Sequence, residues 1–189
     1  MPLLARSIAI NVSHNKIKKI FAHPKGLEHE ILMMCCIDKC LVVWNLDRVA
    51  TICRERSGGQ GYLACNRFGE YINLAHASMT AEGDNRVLMI KIVKDMMSNI
   101  ASKKSQLPKM TLCPKNQLPH LMDILQLDIL LNLHKYRELT LFRKLTTTLE
   151  KRTKQDKANP FEVLMFEVSD LVQSLAQAYG ERQALDFCI

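Results

Sequence analysis

The sequence is poor in aromatic residues and lacks the motifs that mark nucleic-acid-binding proteins. Phe, Trp and Tyr make up 6% of its 189 residues. Its basic residues give a net charge of +7, but they are scattered or grouped in linker-like stretches. A nucleic-acid-binding protein is expected to combine a clustered basic surface with a recognisable binding motif. We therefore predict no nucleic-acid partner and interpret the basic residues as a solvated surface.

A long uncharged apolar run is also absent. The most apolar stretch is interrupted by Asp38 and Lys39, well short of the roughly 20 residues that a membrane-spanning helix needs. The N-terminus lacks the apolar core of a signal peptide. We therefore predict no membrane span.

The seven cysteines form no Cys-x-x-Cys pair. That spacing is common in structural zinc sites, so no metal site is predicted, although Cys35, Cys36 and Cys40 are close in sequence. The odd number of cysteines and their apolar surroundings indicate reduced thiols in an intracellular compartment. Ser57 and Ser78 lack a Gly-x-Ser-x-Gly context, which disfavours a serine hydrolase.

Apolar residues recur every three or four positions along most of the chain, which predicts helices. The first predicted helix ends before Pro24, and the second extends from about Leu27 to Arg56 with an apolar first half typical of a central bundle helix. A further helix begins with Asp84 as its N-cap and continues to about Asn99. The predicted fold class is all-α, an up-and-down helical bundle.

The remaining segments divide the chain. The segment from Tyr62 to Ala81 has no clear periodicity, which predicts a loop with one short helical turn. A polar, proline-containing connector is predicted at residues 102–119, between a helical domain at 1–101 and a C-terminal helical region at 120–189.

Two helices are predicted in the C-terminal region. The first is amphipathic and ends near Glu150. The sequence Asn159-Pro160-Phe161-Glu162 is typical of a helix start, and this last helix is expected to end near Tyr179, with Gly180 close to its end.

Two glycine-containing motifs carry the chemistry. The segment from Cys53 to Tyr62 reads Cys-Arg-Glu-Arg-Ser-Gly-Gly-Gln-Gly-Tyr, and the segment from Glu82 to Asn85 reads Glu-Gly-Asp-Asn. A Gly-Gly-x-Gly turn lets the backbone approach a bulky polyphosphate, because glycine has no Cβ and tolerates positive φ. A single carboxylate beside a second tight turn suits a positioned general base.

In this order and spacing, the two motifs resemble those of the acyl-CoA oxidases, flavoenzymes related to the acyl-CoA dehydrogenases. The resemblance extends from about Leu3 to Phe187. The second motif favours the oxidases, because the dehydrogenases usually carry Thr at the position of Asp84. Members of this family have a helical N-terminal domain, a β-domain that holds much of the flavin, and a helical C-terminal half. The resemblance therefore implies a fragment of the C-terminal half without the β-domain.

The family resemblance also implies roles for individual residues. Glu82 would be the catalytic base that removes the α proton of a fatty acyl-CoA while a hydride passes from the β carbon to FAD. The products would be trans-2-enoyl-CoA and, after reoxidation by oxygen, hydrogen peroxide. Gly58, Gly59 and Gly61 would approach the flavin pyrophosphate across a homodimer interface, and Asp84 would lie near the flavin.

Other aspects of function stay open at the level of sequence. The family implies a peroxisomal location, although the C-terminus lacks a Ser-Lys-Leu type signal, and a cytoplasmic location is the alternative. A catalytically incompetent helical module that acts in dimerisation or protein interaction is the alternative function. His76 lies between the two motifs but is not expected to be a catalytic partner, because nothing near it in sequence supplies an orienting carboxylate.

Overall fold

The computed structural model describes residues 2–23, 28–102, 106–109 and 126–189. All regular elements in these ranges are helical, which confirms the all-α prediction. In chain order they are α1 (Pro2–Ala22), α2 (Glu28–Arg56), two 3-10 turns (Gly58–Tyr62 and Ala64–Asn66), α3 (Phe68–Thr80), α4 (Asn85–Ala101), α5 (Leu127–Gln155), α6 (Pro160–Glu162), a π-helical segment (Val163–Glu167) and α7 (Ser169–Asp186).

The chain forms two compact units, Met1–Leu88 and Met89–Ile189, with the boundary inside α4. The predicted connector at 102–119 falls largely outside the described residues. The predicted division of the chain into domains at 1–101 and 120–189 therefore stays a prediction.

In the first unit, α2 packs against both α1 and α3. Its apolar first half is buried, with Ile37 and Cys40 almost fully inaccessible. Asn45 Nδ2 donates to Ser7 Oγ at 3.0 Å near the start of α1. Further along α1, His14 contacts Asp38, which precedes Asn45 on α2. The two helices are therefore antiparallel, as an up-and-down bundle requires.

A buried carboxylate forms the second of these α1–α2 contacts. His14 Nδ1 lies 2.6 Å from Asp38 Oδ2, and Asp38 is 7% exposed. Burial raises the pKa of the Asp38 carboxyl, while the hydrogen bond and the charge of His14 act in the opposite direction. Because a buried carboxylate needs a partner, this contact favours one alignment of α1 on α2.

The predicted loop between Tyr62 and Ala81 is wrong, because most of it forms α3. The one buried residue of α3 is Ala75, whereas Tyr71 and Leu74 are exposed. The buried stripe of α3 is therefore narrow. Most helical stability in proteins comes from tertiary packing, and for α3 that packing is provided by α2.

In the second unit, α5 packs against α7. Arg137 of α5 pairs with Glu181 of α7 at 2.6 Å. Later on α5, Arg152 pairs with Glu167, which lies just before α7 in the chain. The two segments are therefore antiparallel. The Asn159 side chain accepts a hydrogen bond from the Phe161 amide at 3.0 Å, which confirms the predicted helix start.

The predicted end of the last helix near Tyr179 is wrong, because α7 continues to Asp186. Gly180 is buried inside the helix. Glu181 and Arg182 follow Gly180 directly, and both form ion pairs with α5. These contacts stabilise helical residues beyond a glycine that would weaken the helix in isolation.

Glu138 and Arg182 form the most buried ion pair among the described residues, with Oε2 and Nε 2.5 Å apart and side chains 2% and 13% exposed. Burial raises the pKa of Glu138, and Arg182 opposes that rise. Each charge depends on the other, because a buried charge without a partner is strongly unfavourable.

We predict that Glu138→Ala lowers the free energy of unfolding by about 3–5 kcal/mol, because it leaves Arg182 without its carboxylate. Urea denaturation followed by circular dichroism measures this change. Glu167→Ala is the matched control, since it also removes a carboxylate from an arginine but at an exposed site, where ion pairs contribute little. Equal losses in the two variants would contradict the prediction.

Candidate functional site

Both motifs lie in the first unit and at the boundaries of its helices. The glycine motif follows the C-terminal end of α2 and forms the 3-10 turn Gly58–Tyr62. Glu82 and Gly83 lie between α3 and α4, in the turn that Asp84 completes.

The start of the glycine turn exposes bare backbone. Gly58 has φ +56°, and a Cβ added at Gly58 or Gly59 would meet no atom within 4 Å. Both residues are exposed, and Arg54 and Arg56 occupy the last turn of α2 just before them. Accessible backbone that directly follows two arginines in the chain suits an anionic group such as a pyrophosphate.

Gly61 differs from the other two glycines. It is buried, and a Cβ at this position would lie 2.1 Å from the carbonyl oxygen of Arg54. The glycine is therefore needed so that the turn can fold back against the end of α2. Its predicted contact with a cofactor stays a prediction.

Glu82 occupies a turn with an unusual backbone. Its φ is +57°, and that of the following Gly83 is +101°. A non-glycine residue in the left-handed region costs roughly 1–2 kcal/mol, and such conformations persist where the surroundings hold them. The Glu82 side chain is exposed, so this turn presents a carboxylate to solvent or to a ligand.

Asp84 caps α4, as predicted. Its Oδ1 accepts hydrogen bonds from the amides of Arg86 at 2.8 Å and Val87 at 3.3 Å. These bonds satisfy amides at the helix N-terminus that have no partner within the helix. Asp84 therefore fixes the end of the Glu82 turn, whereas its predicted position near a flavin stays a prediction.

Lys39 contacts the Glu82 turn from α2, and sequence reasoning did not assign it to the site. Its Nζ donates to the carbonyl of Met79 at 3.3 Å, to that of Gly83 at 2.7 Å and to Oδ1 of Asn85 at 2.6 Å. The available signal in the sequence was a charged residue within the apolar half of α2.

The two motifs lie far apart along α2. Lys39, which contacts the Glu82 turn, and Arg56, which precedes the glycine turn, are separated by about 25 Å at 1.5 Å per helical residue. Between them, His76 of α3 lies 3.2 Å from Asp47 of α2. Helix α3 is therefore antiparallel to α2, and the motifs lie near opposite ends of this helix pair.

The contact with Asp47 corrects one expectation. The sequence suggested no carboxylate near His76, but tertiary folding brings Asp47 to it from 29 residues away. The imidazole is 63% exposed. The pair connects α2 to α3.

In the part of the chain that the structure describes, no three His, Cys, Asp or Glu side chains are grouped so that they could hold a metal ion. No helix in those ranges combines the length and the hydropathy of a transmembrane span.

The second unit contains an open groove with a volume of about 470 Å³. Its apolar wall includes Met97, Leu149 and Leu164, and Lys94 Nζ lies 4.5 Å from the centre of the Phe161 ring at its edge. None of the predicted site residues lines this groove.

The fold defines a class of protein, an all-α domain with a glycine turn at the end of a central helix and a carboxylate turn between two others. Residues 1–97 match the family described as "Acyl-CoA oxidase, C-alpha1 domain". The chain therefore belongs to the acyl-CoA oxidase family, which confirms the resemblance inferred from its motifs.

Several curated proteins resemble this chain. Acyl-coenzyme A oxidase 2, peroxisomal, of Arabidopsis thaliana is 30% identical over 110 residues, which cover 54% of this chain and 16% of the relative. Acyl-coenzyme A oxidase 3, peroxisomal, of the same plant is 28% identical over 107 residues, 56% of this chain and 16% of the relative. Peroxisomal acyl-coenzyme A oxidase 3 of Homo sapiens is 38% identical over 68 residues, 36% of this chain and 10% of the relative.

The aligned stretches thus span at most 16% of these three relatives. No solved structure matches the chain.

We predict that Gly61→Ala destabilises the first unit, because its Cβ would overlap the Arg54 carbonyl, whereas Gly59→Ala has open space and should have little effect. Thermal unfolding followed by circular dichroism compares the two variants, which introduce the same methyl group two residues apart. Unfolding of Gly61→Ala at the wild-type temperature would contradict the packing role of Gly61.

Proposed function

We propose that this chain is the flavin- and substrate-facing helical part of an acyl-CoA oxidase that converts fatty acyl-CoA to trans-2-enoyl-CoA with formation of hydrogen peroxide. The observation that carries the proposal is the Glu82 turn, in a chain of this family. In this turn the backbone of Glu82 is left-handed and its carboxylate is exposed. The turn lies next to the capped start of α4.

In this proposal Glu82 is the general base. Its carboxylate would take the proton from the carbon next to the thioester carbonyl of the substrate. The amide N–H of Glu82 would donate to that carbonyl oxygen, which lowers the pKa of the α proton by stabilising negative charge on the oxygen. FAD, when bound, supplies the acceptor for the hydride that leaves the β carbon.

The glycine turn supports FAD as the cofactor. Gly58 and Gly59 leave room for close approach of a pyrophosphate, and Arg54 and Arg56 add positive charge beside it. Gly61 would contribute by keeping this turn folded against α2, and Asp84 by fixing the N-terminus of α4. The residues present therefore fit the phosphate side of the cofactor.

The separation of the motifs supports a homodimer. The ribityl chain that joins the ring of FAD to its pyrophosphate is much shorter than the distance of about 25 Å along α2 between the two motifs. One FAD would therefore contact Glu82 of one subunit and the glycine turn of its partner.

The names of the relatives support a location. Those from Arabidopsis thaliana and Homo sapiens are named as peroxisomal. We propose that the acyl-CoA oxidase to which this chain contributes acts in peroxisomal fatty acid β-oxidation.

A second candidate function is that of a helical module that acts in dimerisation or protein interaction without flavin. Exposed apolar side chains favour it, since Leu4 and Ile8 lie one turn apart on α1 and are 59% and 55% exposed. Absorbance near 450 nm of the purified chain after incubation with FAD separates the two functions, because a bound oxidised flavin absorbs there.

The base is tested in a fusion enzyme in which Arabidopsis thaliana acyl-coenzyme A oxidase 2 supplies the regions outside this chain. We predict that Glu82→Gln retains acyl-CoA binding but slows anaerobic flavin bleaching by a saturated acyl-CoA at least about 10²-fold, because the amide cannot accept the proton. Glu82→Asp should be intermediate, since its carboxylate is retracted by one methylene.

The matched control for Glu82→Gln is Glu70→Gln, at an exposed residue of α3 whose partner is Arg67. It should bleach at the wild-type rate. Bleaching of Glu82→Gln at that rate would remove Glu82 from the mechanism and contradict the proposed function.

We also predict that the chain self-associates. The mass measured by sedimentation equilibrium should rise above the 21.6 kDa of one chain at tens of micromolar, a concentration at which about micromolar affinity suffices. Replacing Leu4 and Ile8 together by Gln should weaken association, because it removes apolar area from α1. A monomer at all concentrations would contradict the dimer.

A further inference from the structure

The ammonium group of Lys39 has a complete set of partners. It carries three N–H donors, and it donates to three oxygens, the carbonyls of Met79 and Gly83 and the side chain of Asn85. The two shortest contacts, 2.7 Å and 2.6 Å, are those expected for charge-assisted hydrogen bonds.

The three acceptors surround Glu82 in the chain. Met79 belongs to the last turn of α3, Gly83 follows Glu82 directly, and Asn85 is the first residue of α4. One cation on α2 therefore connects the end of α3, the turn itself and the start of α4. By contrast, the hydrogen bonds of the Asp84 cap join the end of the turn to α4 and do not reach α2 or α3.

The anchor lies in a well-packed part of the first unit. Asn85 is 2% exposed, and Cys40, next to Lys39 on α2, is inaccessible to solvent. Cys40 Sγ also donates to the carbonyl of Asn85 at 3.6 Å. The start of α4 is thus held by two successive residues of α2, so a movement of the Glu82 turn would break these contacts.

We propose that Lys39 is the positioning residue of the Glu82 base. Its three hydrogen bonds keep Glu82 and Gly83 at positive φ, and they thereby fix the direction of the Glu82 carboxylate and amide. This inference rests on the proposed function for its catalytic part, whereas the hold of Lys39 on the turn is testable in the chain alone.

The first experiment measures hydrogen exchange in the 189-residue chain. The amides of Arg86, Val87 and Leu88 donate to Asp84, so their exchange reports opening of the turn. We expect Lys39→Met, which keeps the length of the side chain but has no donors, to exchange these amides at least about tenfold faster, because charge-assisted hydrogen bonds are lost.

The matched control for exchange is Lys91→Met. It removes one lysine charge from α4, where Lys91 pairs with Asp95, and should leave the three amides unchanged. Wild-type exchange in Lys39→Met, or equal acceleration in both variants, would overturn the proposal.

The second experiment uses the fusion enzyme. Lys39→Met should lower the limiting rate of flavin reduction about tenfold to a hundredfold, as expected when a catalytic group is displaced by about 1 Å. The acyl-CoA concentration that gives half of that rate should stay the same, and Lys39→Arg should restore part of the rate. A general loss of folding would instead reduce the amount of bound flavin without this division between rate and binding.

Asn85→Ala provides a second variant if Lys39→Met does not fold, because it removes one of the three acceptors and keeps the lysine. It should change exchange and the limiting rate in the same direction but less. Faster exchange with an unchanged reduction rate would overturn the positioning role. A normal rate in Glu82→Gln would instead refute the proposed function, and the exchange result would still decide whether Lys39 holds the turn.

Discussion

The packing of α2 between α1 and α3 is the constraint on which the first unit depends. The apolar side chains of α2 point to several sides of the helix, so burying them from water requires a neighbour on more than one side. The neighbours lie antiparallel to α2. The glycine motif follows the C-terminal end of α2, whereas the Glu82 turn lies at the end of α3, against Lys39 near the middle of α2. The geometry of the candidate site is therefore set by the length of α3 and by the way in which it returns along α2.

Within this apolar packing, a few polar side chains fix the relative positions of the helices. Asp38 contacts α1, and Lys39 contacts the turn between α3 and α4. Glu138 has the same effect between α5 and α7 in the second unit. Apolar contacts tolerate small displacements, whereas the buried charges of Asp38 and Glu138 are strongly unfavourable without a partner, and the half-buried Lys39 would lose three hydrogen bonds. These side chains therefore select one alignment out of several that would bury similar apolar area.

Much of this arrangement could be predicted, because its signals are local in the chain. The predicted second helix, from about Leu27 to Arg56, agrees with α2 (Glu28–Arg56) over the residues that the structure describes. The predicted cap at Asp84 is confirmed. It was predictable because capping depends on amides only two and three residues further along the chain. The family was recognisable from Gly-Gly-Gln-Gly-Tyr and Glu-Gly-Asp-Asn, since glycine and a single carboxylate at fixed spacing leave few alternatives.

Local sequence was enough for the all-α class and for the caps at Asp84 and Asn159, because these depend on residues within a few positions of one another. The family followed from two short motifs about twenty residues apart. The packing of distant segments determines that α3 is a helix, that Gly61 fits against the Arg54 carbonyl, and that Lys39 contacts the Glu82 turn. These features join residues that are distant in sequence, such as the 44 positions from Lys39 to Gly83. No local pattern records which distant carbonyl a lysine will meet, because that depends on how α3 packs along α2.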